Sequence, residues 1–251
     1  PLPVDHYGMV DPDAARRAIT PQTILISIMA ANNEIGTLAP LAEIGAIARA
    51  HGVLFHSDAA QAFGHIPLDV QAMHIDLLSI SAHKVYGPKG IGALYRRRSN
   101  PRVLLEPLIY GGGHEKGIRS GTLNVPGIVG LGEAAAIARR EMAAEDVRFR
   151  AWTEEMLARL QAELGDVERN GHPTKRLAHT LNVYIPGVES RALIVQLPDV
   201  AIATGSACTS ASVAPSHVIA ALGYPLARAH GSVRIGVGRN TAADCIRLAI
   251  G

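Results

Sequence analysis

The chain has little cysteine, little net charge and no long apolar run, and each shortage closes off a class of function. Two cysteines in 251 residues, Cys208 and Cys245, do not make a disulfide framework. Neither has a partner at metal-ligand spacing, which argues against a structural zinc site. A formal net charge of +2 supplies no strong field for nucleic acid. The one basic run, Arg96 to Arg98, directly follows an apolar strand and reads as a solvated loop. No segment reaches the roughly 18 consecutive apolar residues of a membrane span, and residues 1–7 do not resemble a secretory signal. No internal repeat or low-complexity stretch interrupts the chain. What remains is a globular composition, 48% hydrophobic and 18% charged, sized for one large or two modest domains. The cytosol is the expected compartment.

Residues 1–143 alternate short apolar strands with helices. Residues 24–29 predict a buried strand. Pro40 opens a helix that runs to Ala50, sets Ile44, Ile47 and Ala48 on one face, and stops at Gly52. Strands at 53–56, 77–81 and 92–95 follow. This alternation predicts an α/β fold with a mainly parallel sheet covered by helices, where functional groups gather beyond the carboxyl ends of strands. A long helix from Pro126 toward Leu164 leads into a smaller α/β part. That part is read as a strand at 180–185, a helix bearing Leu193, Ile194 and Leu197, a loop with Cys208, a helix at 215–222, a strand at 232–237 and a final helix. The expected division is a large domain, 1–143, and a small carboxy-terminal domain, 144–251, that carries the cysteine loop.

The stretch from Asp76 to Gly92 holds the strongest chemical signal. An apolar strand delivers Ser81, His83 and Lys84 to a Gly/Pro-rich turn. A lysine whose water is stripped by packing has a lowered pKa and becomes a nucleophile toward carbonyls. Asp58 lies past the preceding strand, with Gln61 three residues on. An acid that pairs with a pyridinium nitrogen, then a lysine one strand later, is the layout of a pyridoxal phosphate (PLP) site. The ordinary alternatives are a solvated turn lysine and a helix N-cap. Cys208, alone among Gly, Ser and Thr, reads as a reactive thiol, and Cys245 as a packed helix residue.

Five segments, in order and at matching spacing, carry a family resemblance: ANNEIG from Ala31, SDAAQ from Ser57, SAHK from Ser81, GGGHEKGIRSGT from Gly111 and TGSACTS from Thr204. Through essentially its whole length the chain resembles the NifS-like cysteine desulfurases, fold-type I PLP enzymes with a large PLP-binding domain and a smaller carboxy-terminal α/β domain. The resemblance implies that Lys84 holds the cofactor and shuttles protons, while Asp58 keeps the pyridine nitrogen protonated. Gln61 and Asn33 would contact the phenolate oxygen and its surroundings. Ser81 and His83 would donate to the phosphate, though His83 also suits a satisfied core position. Thr122, in the glycine-rich loop, would reach the phosphate of a neighbouring subunit, which implies a homodimer. Arg234 would bind the substrate carboxylate together with Asn33; Arg239 is the weaker alternative, better suited to an ion pair.

By the same resemblance Cys208 takes the sulfur of L-cysteine as a persulfide and leaves L-alanine, with His114 a candidate proton carrier. TGSACTS resembles the long-loop subgroup that feeds iron–sulfur scaffolds, where the matching cysteine helps hold a transient [2Fe-2S] cluster. Cys208 is thus also a candidate metal ligand, and the implied partner is such a scaffold or another sulfur acceptor. Relatives of this kind carry a further amino-terminal segment, with a phosphate-binding Gly-Thr turn and a stacking histidine, so a chain lacking that part is expected. Two other readings stay open: a truncated subunit acting as an interaction module, and a related PLP lyase acting on selenocysteine or kynurenine.

Overall fold

The computed structural model describes residues 1–205 and 215–250. It divides into two compact units, one of Thr20–Ile28 and Leu41–Arg140, the other of Pro1–Ile19, Met29–Pro40 and Glu141–Gly251. This differs from the expected division at 143/144. The segment Met29–Pro40 groups with the carboxy-terminal residues because its backbone bonds to them: Leu38 N–H donates to the Lys175 carbonyl and Leu177 N–H to the Gly36 carbonyl.

The sheet of the first unit contains β1 (Leu25–Met29), β2 (Leu54–Asp58), β3 (Leu77–Ser81) and β4 (Gly92–Arg96), hydrogen-bonded in that order. β2 and β3 run parallel, with Asp58 opposite Ser79. β3 and β4 are antiparallel, with Ser81 opposite Gly92. The link 82–91 is too short for the crossover that a parallel return requires, so the sheet is mixed where the alternation led to a mainly parallel one. β1 also departs from the expected buried strand. Leu25 and Met29 are exposed while Ile26 and Ile28 are half-buried, the period of two that follows when a strand is covered on one face. Helix α2 (Leu41–Ala50) buries Leu41, Ile44, Ile47 and Ala48, the face that the spacing predicts.

A buried ion pair stitches one end of this sheet. Asp76, just before β3, accepts from the Phe55 N–H on β2 at 3.0 Å and from Arg97 Nε, just after β4, at 2.9 Å. Arg97 spends its other donors on Gln71 and on the carbonyls of Val70 and Ile75. Both carboxylate oxygens of Asp76 and all three guanidinium nitrogens of Arg97 are hydrogen-bonded, the kind of matching under which a buried pair is tolerated.

The second unit has β5 (Glu168–Arg169), β6 (Thr180–Tyr184), β7 (Ile202–Ala203) and β8 (Ser232–Gly236) in the order β5-β6-β8-β7, all antiparallel. Helix α3 (Val125–Leu164) runs from the first unit into the second. Its Phe149, Met156 and Leu157 form a core with Leu181, Val183, Val233 and Ile246. Among the described residues α4 (Ser190–Gln196), α5 (His217–Ala221), α6 (Leu226–His230) and α7 (Ala243–Ile250) follow, and α1 (Pro12–Ala18) precedes the first strand with Asp11 as its N-cap. Cys245 is exposed on α7, not packed. Ile246, one position and about 100° further round the helix, takes the core side. Among the described residues no helix is long and apolar enough to cross a membrane.

Asp76→Asn leaves the Arg97 charge buried without its counter-ion. The expected loss is about 3 kcal/mol of unfolding free energy, read as a lower urea midpoint at unchanged slope; a midpoint equal to wild type would show that the pair does not hold the sheet.

Candidate active site

Because β2 and β3 are parallel and in register, their carboxyl ends open on the same edge of the sheet. Asp58 is the last residue of β2, and the Ala59 N–H continues the pairing by donating to the Ser79 carbonyl at 2.9 Å. Asp58, Ser79 and Ser81 fall on one face, since partners across a parallel pair share a side and residues two apart repeat it. Asp58 Oδ1 accepts from the Ala60 N–H at 2.9 Å, which fixes the carboxylate at the mouth of a turn. It is an Asx-type turn and not the opening of a regular helix.

Beyond β3 the chain turns through a single 3₁₀ turn, Ala82–Lys84. Buried Ala82 and Val85 bracket His83 and Lys84. Backbone bonds close the turn: Ala82 N–H to Ile91 O, and both Val85 N–H and Gly87 N–H to Ala82 O. His65 Nε2 lies 3.1 Å from the Lys84 carbonyl. Gly64 makes this approach feasible. Its φ of +79° lies in the left-handed region, and a Cβ there would stand 2.3 Å from Val85 Cγ2. Ser81 Oγ and His83 Nδ1 are 2.9 Å apart, so hydroxyl and imidazole form one polar pair. The Lys84 and His83 side chains are exposed. The described residues therefore do not supply the desolvation expected for the lysine, and His83 is not a core histidine.

Sequence reasoning missed His56. It bridges three strands, with Nδ1 2.8 Å from Ser27 Oγ on β1 and Nε2 2.9 Å from Ser79 Oγ on β3. The available signal was a polar residue at the third position of each of three strands, Ser27, His56 and Ser79. Gln61 is half-buried in the turn after β2.

The second unit gathers another set. Asn32 Oδ1 accepts from the N–H groups of Glu34 and Ile35 at 2.8 and 3.1 Å, which makes Asn32 the turn residue and leaves Asn33 at its crest. Arg234 Nη1 donates to the Asn33 carbonyl at 2.6 Å. Asn33 and Arg234 are 201 positions apart in sequence, and the fold brings them together. Burial lowers the Arg234 pKa from its ordinary value, and the negative charge of Glu34 opposes that shift; a guanidinium stays charged regardless. Arg239, the alternative, is spent on Glu145 at 2.5 and 3.2 Å, as its reading as an ion-pairing residue required.

His114 and Thr122 lie on the exposed loop of the first unit that contains the 3₁₀ turn His114–Gly117. Arg119 folds back onto the carbonyls of Gly121 and Thr122. Among the described residues no hydrogen bond joins His114 or Thr122 to the Asp58–Lys84 group. Cys208 lies outside the described residues, and among those that are described no group of His, Cys, Asp or Glu could hold a metal ion.

The sequence matches the model of the aminotransferase class-V family over residues 1–248. The chain belongs to the class-V aminotransferase family. Cysteine desulfurase IscS of Anaeromyxobacter dehalogenans is 53% identical over 249 residues, which cover 99% of this chain and 61% of that protein. Among solved structures, a NifS-like protein from Rickettsia africae superposes with a TM-score of 0.89 at 30% identity, covering 99% of this chain and 67% of that one. A structure described as SspA in complex with cysteine gives a TM-score of 0.78 at 39% identity, over 94% and 65% of the two chains. The class-V chain thus has the α/β fold of NifS-like proteins and spans about three fifths of the length of the curated relatives it matches.

Gly64→Ala forces a side chain into the left-handed region and against Val85, one residue from Lys84. The expected cost is about 2 kcal/mol, from backbone strain and overpacking together. Chemical denaturation checks it, and an unchanged midpoint would mean that the Lys84 turn is not held from this side.

Proposed function

We propose that the protein to which this chain belongs is a PLP-dependent L-cysteine desulfurase, acting in the cytosol as a homodimer and passing sulfur to an acceptor such as an iron–sulfur scaffold. The observation that carries this reading is the placement of Lys84 and Asp58 at neighbouring carboxyl ends of a parallel strand pair in a class-V chain. The donor set fits the cofactor: an exposed primary amine for an aldehyde, a turn-fixed carboxylate for a ring nitrogen, and the Ser81–His83 pair as donors to a phosphate.

When bound, PLP supplies an electrophilic carbon for an amine and an electron-withdrawing ring that stabilises charge developing on the substrate. Lys84 would be the amine that holds it and the group that moves a proton at the substrate carbon. Asp58 would keep a proton on the ring nitrogen through its charge. Gln61 and Asn33 would hydrogen-bond the remaining ring oxygen and its surroundings. Arg234, already set against the Asn33 backbone, offers a planar fork to the carboxylate of L-cysteine.

Cys208 acts last, as the thiolate. It attacks the substrate sulfur, an S–S bond forms as the substrate C–S bond breaks, and the electron pair left on carbon takes a proton to give L-alanine. His114 is the proposed carrier of the thiol proton. Thr122, on the glycine-rich loop, is assigned to the cofactor phosphate of a second copy of the chain. Cys208 would also serve as a shared ligand when a [2Fe-2S] cluster assembles on the scaffold.

Peptide mapping after incubation with PLP and borohydride tests the cofactor assignment. The expected outcome is one reduced adduct on Lys84, absent in Lys84→Ala and retained in Cys208→Ala. Labelling spread evenly over Lys84, Lys89, Lys116 and Lys175 would count against a site.

A further inference from the structure

The turn that seats Arg234 is gripped at two consecutive carbonyls, by two side chains that stand opposite each other across the β6–β8 pair. Asn33 O accepts from Arg234 Nη1 at 2.6 Å, and Glu34 O accepts from Asn182 Nδ2 at 3.1 Å. Asn182 is 2% exposed, and the proposed chemistry gives it no task. A buried amide has to be satisfied at both ends, and what its partners can offer decides which end faces which. Asn182 Oδ1 accepts from Asn170 Nδ2 at 2.8 Å. The same Asn170 nitrogen also donates to Ser232 Oγ at 2.8 Å. Asn170 Oδ1 in turn accepts from Arg228 Nε at 2.6 Å.

The two ends of this chain of bonds are chemically one-sided, because a guanidinium only donates and a backbone carbonyl only accepts. Arg228 therefore obliges Asn170 to turn its oxygen toward the guanidinium and its NH2 toward Asn182. Asn182 must then turn its own NH2 toward Glu34. Arg228 is fixed independently of the asparagines. It is 6% exposed, its guanidinium carbon lies 3.8 Å from the Tyr224 ring centroid, and Nη1 donates to Glu168 at 2.6 Å. Ser232 closes the network by donating to the Arg228 carbonyl at 2.6 Å. All of these residues belong to the second unit.

We propose that Asn182 is a positioning residue for carboxylate recognition, its amide oriented by Arg228 through Asn170 so that the Asn33–Glu34 backbone is pinned where Arg234 meets it. This rests on the desulfurase reading, in which Arg234 takes the carboxylate of L-cysteine. With the Glu34 carbonyl held, the Asn33 carbonyl stays in place for Nη1, and the guanidinium plane keeps one direction. Neither asparagine need touch substrate.

Asn170→Asp tests the relay at constant shape. It keeps an acceptor for Arg228 and replaces the donor to Asn182 by an oxygen, so the Asn182 amide is expected to reverse and to lose its bond to Glu34. Phenylglyoxal labelling read by peptide mapping reports on the seat of Arg234 without turnover, with exposed Arg98 as internal reference. Asn170→Asp and Asn182→Leu are each expected to raise the Arg234:Arg98 ratio about three-fold or more, because an unpinned turn opens more often to reagent. Val233→Ala, a core truncation on the same strand as Arg234, is expected to leave the ratio near wild type. An unchanged ratio in both relay variants overturns the proposal, as does an equal rise in Val233→Ala, which would mean general loosening. If Asn182→Leu does not fold, Asn170→Asp decides alone. Alanine release from L-cysteine by the PLP-loaded chain is followed in parallel. The relay variants are expected to raise KM about five-fold while kcat changes by less than about two-fold, and a raised ratio with unchanged KM overturns the positioning role. A wild type that forms no alanine removes the desulfurase reading, and the labelling ratio then decides the relay by itself.

Discussion

The Asp76–Arg97 pair is the constraint on which the first unit depends. A charge pair taken out of water holds only when every donor and acceptor is matched, and here the matching partners come from β2, from the segment before β3 and from the residue after β4. That fixes three strands at one end. Their register then propagates residue by residue to the other end, where Asp58 and Ser79 stand opposite one another and Lys84 follows. The stabilising chemistry and the reactive chemistry thus occupy opposite ends of the same strands. A group that must stay exposed and reactive contributes little to folding, so the rigidity has to be supplied elsewhere.

The second unit solves a related problem with a turn instead of a sheet edge. The Asn32 side chain bonds the backbone of its own turn, and this leaves the carbonyls of Asn33 and Glu34 and the Glu34 carboxyl group as acceptors for distant donors. Arg234, Asn182 and Ser216 supply those donors, from β8, β6 and the residue before α5. An arginine held in this way is pre-oriented, and less side-chain entropy remains to be lost when a carboxylate binds.

Much of this was legible in the sequence where the signal is local. The apolar face of α2, the strand ends bearing Asp58 and Lys84, and the ion-pairing role of Arg239 follow from short-range pattern and residue chemistry. What escaped depends on long-range contacts. Nothing in the periodicity of residues 24–29 tells that only one face of β1 is covered. Nothing near Glu34 or His56 announces partners on other strands or 182 positions away. The position of Cys245 turns on a single step of about 100° around α7, a helix of eight residues. Lys84 is the instructive case, since its position is legible from the motif and its solvent exposure is a property of whatever surrounds the finished site.

Sulfur transfer itself is the most direct test of the account. After incubation with PLP and L-cysteine, the peptide containing Cys208 is isolated without reductant and weighed against the one containing Cys245. The account predicts one added sulfur atom on Cys208, matched by one L-alanine and removed by reductant, and an unmodified Cys245. L-Alanine without sulfur on Cys208, or sulfur shared equally between the two cysteines, would contradict it.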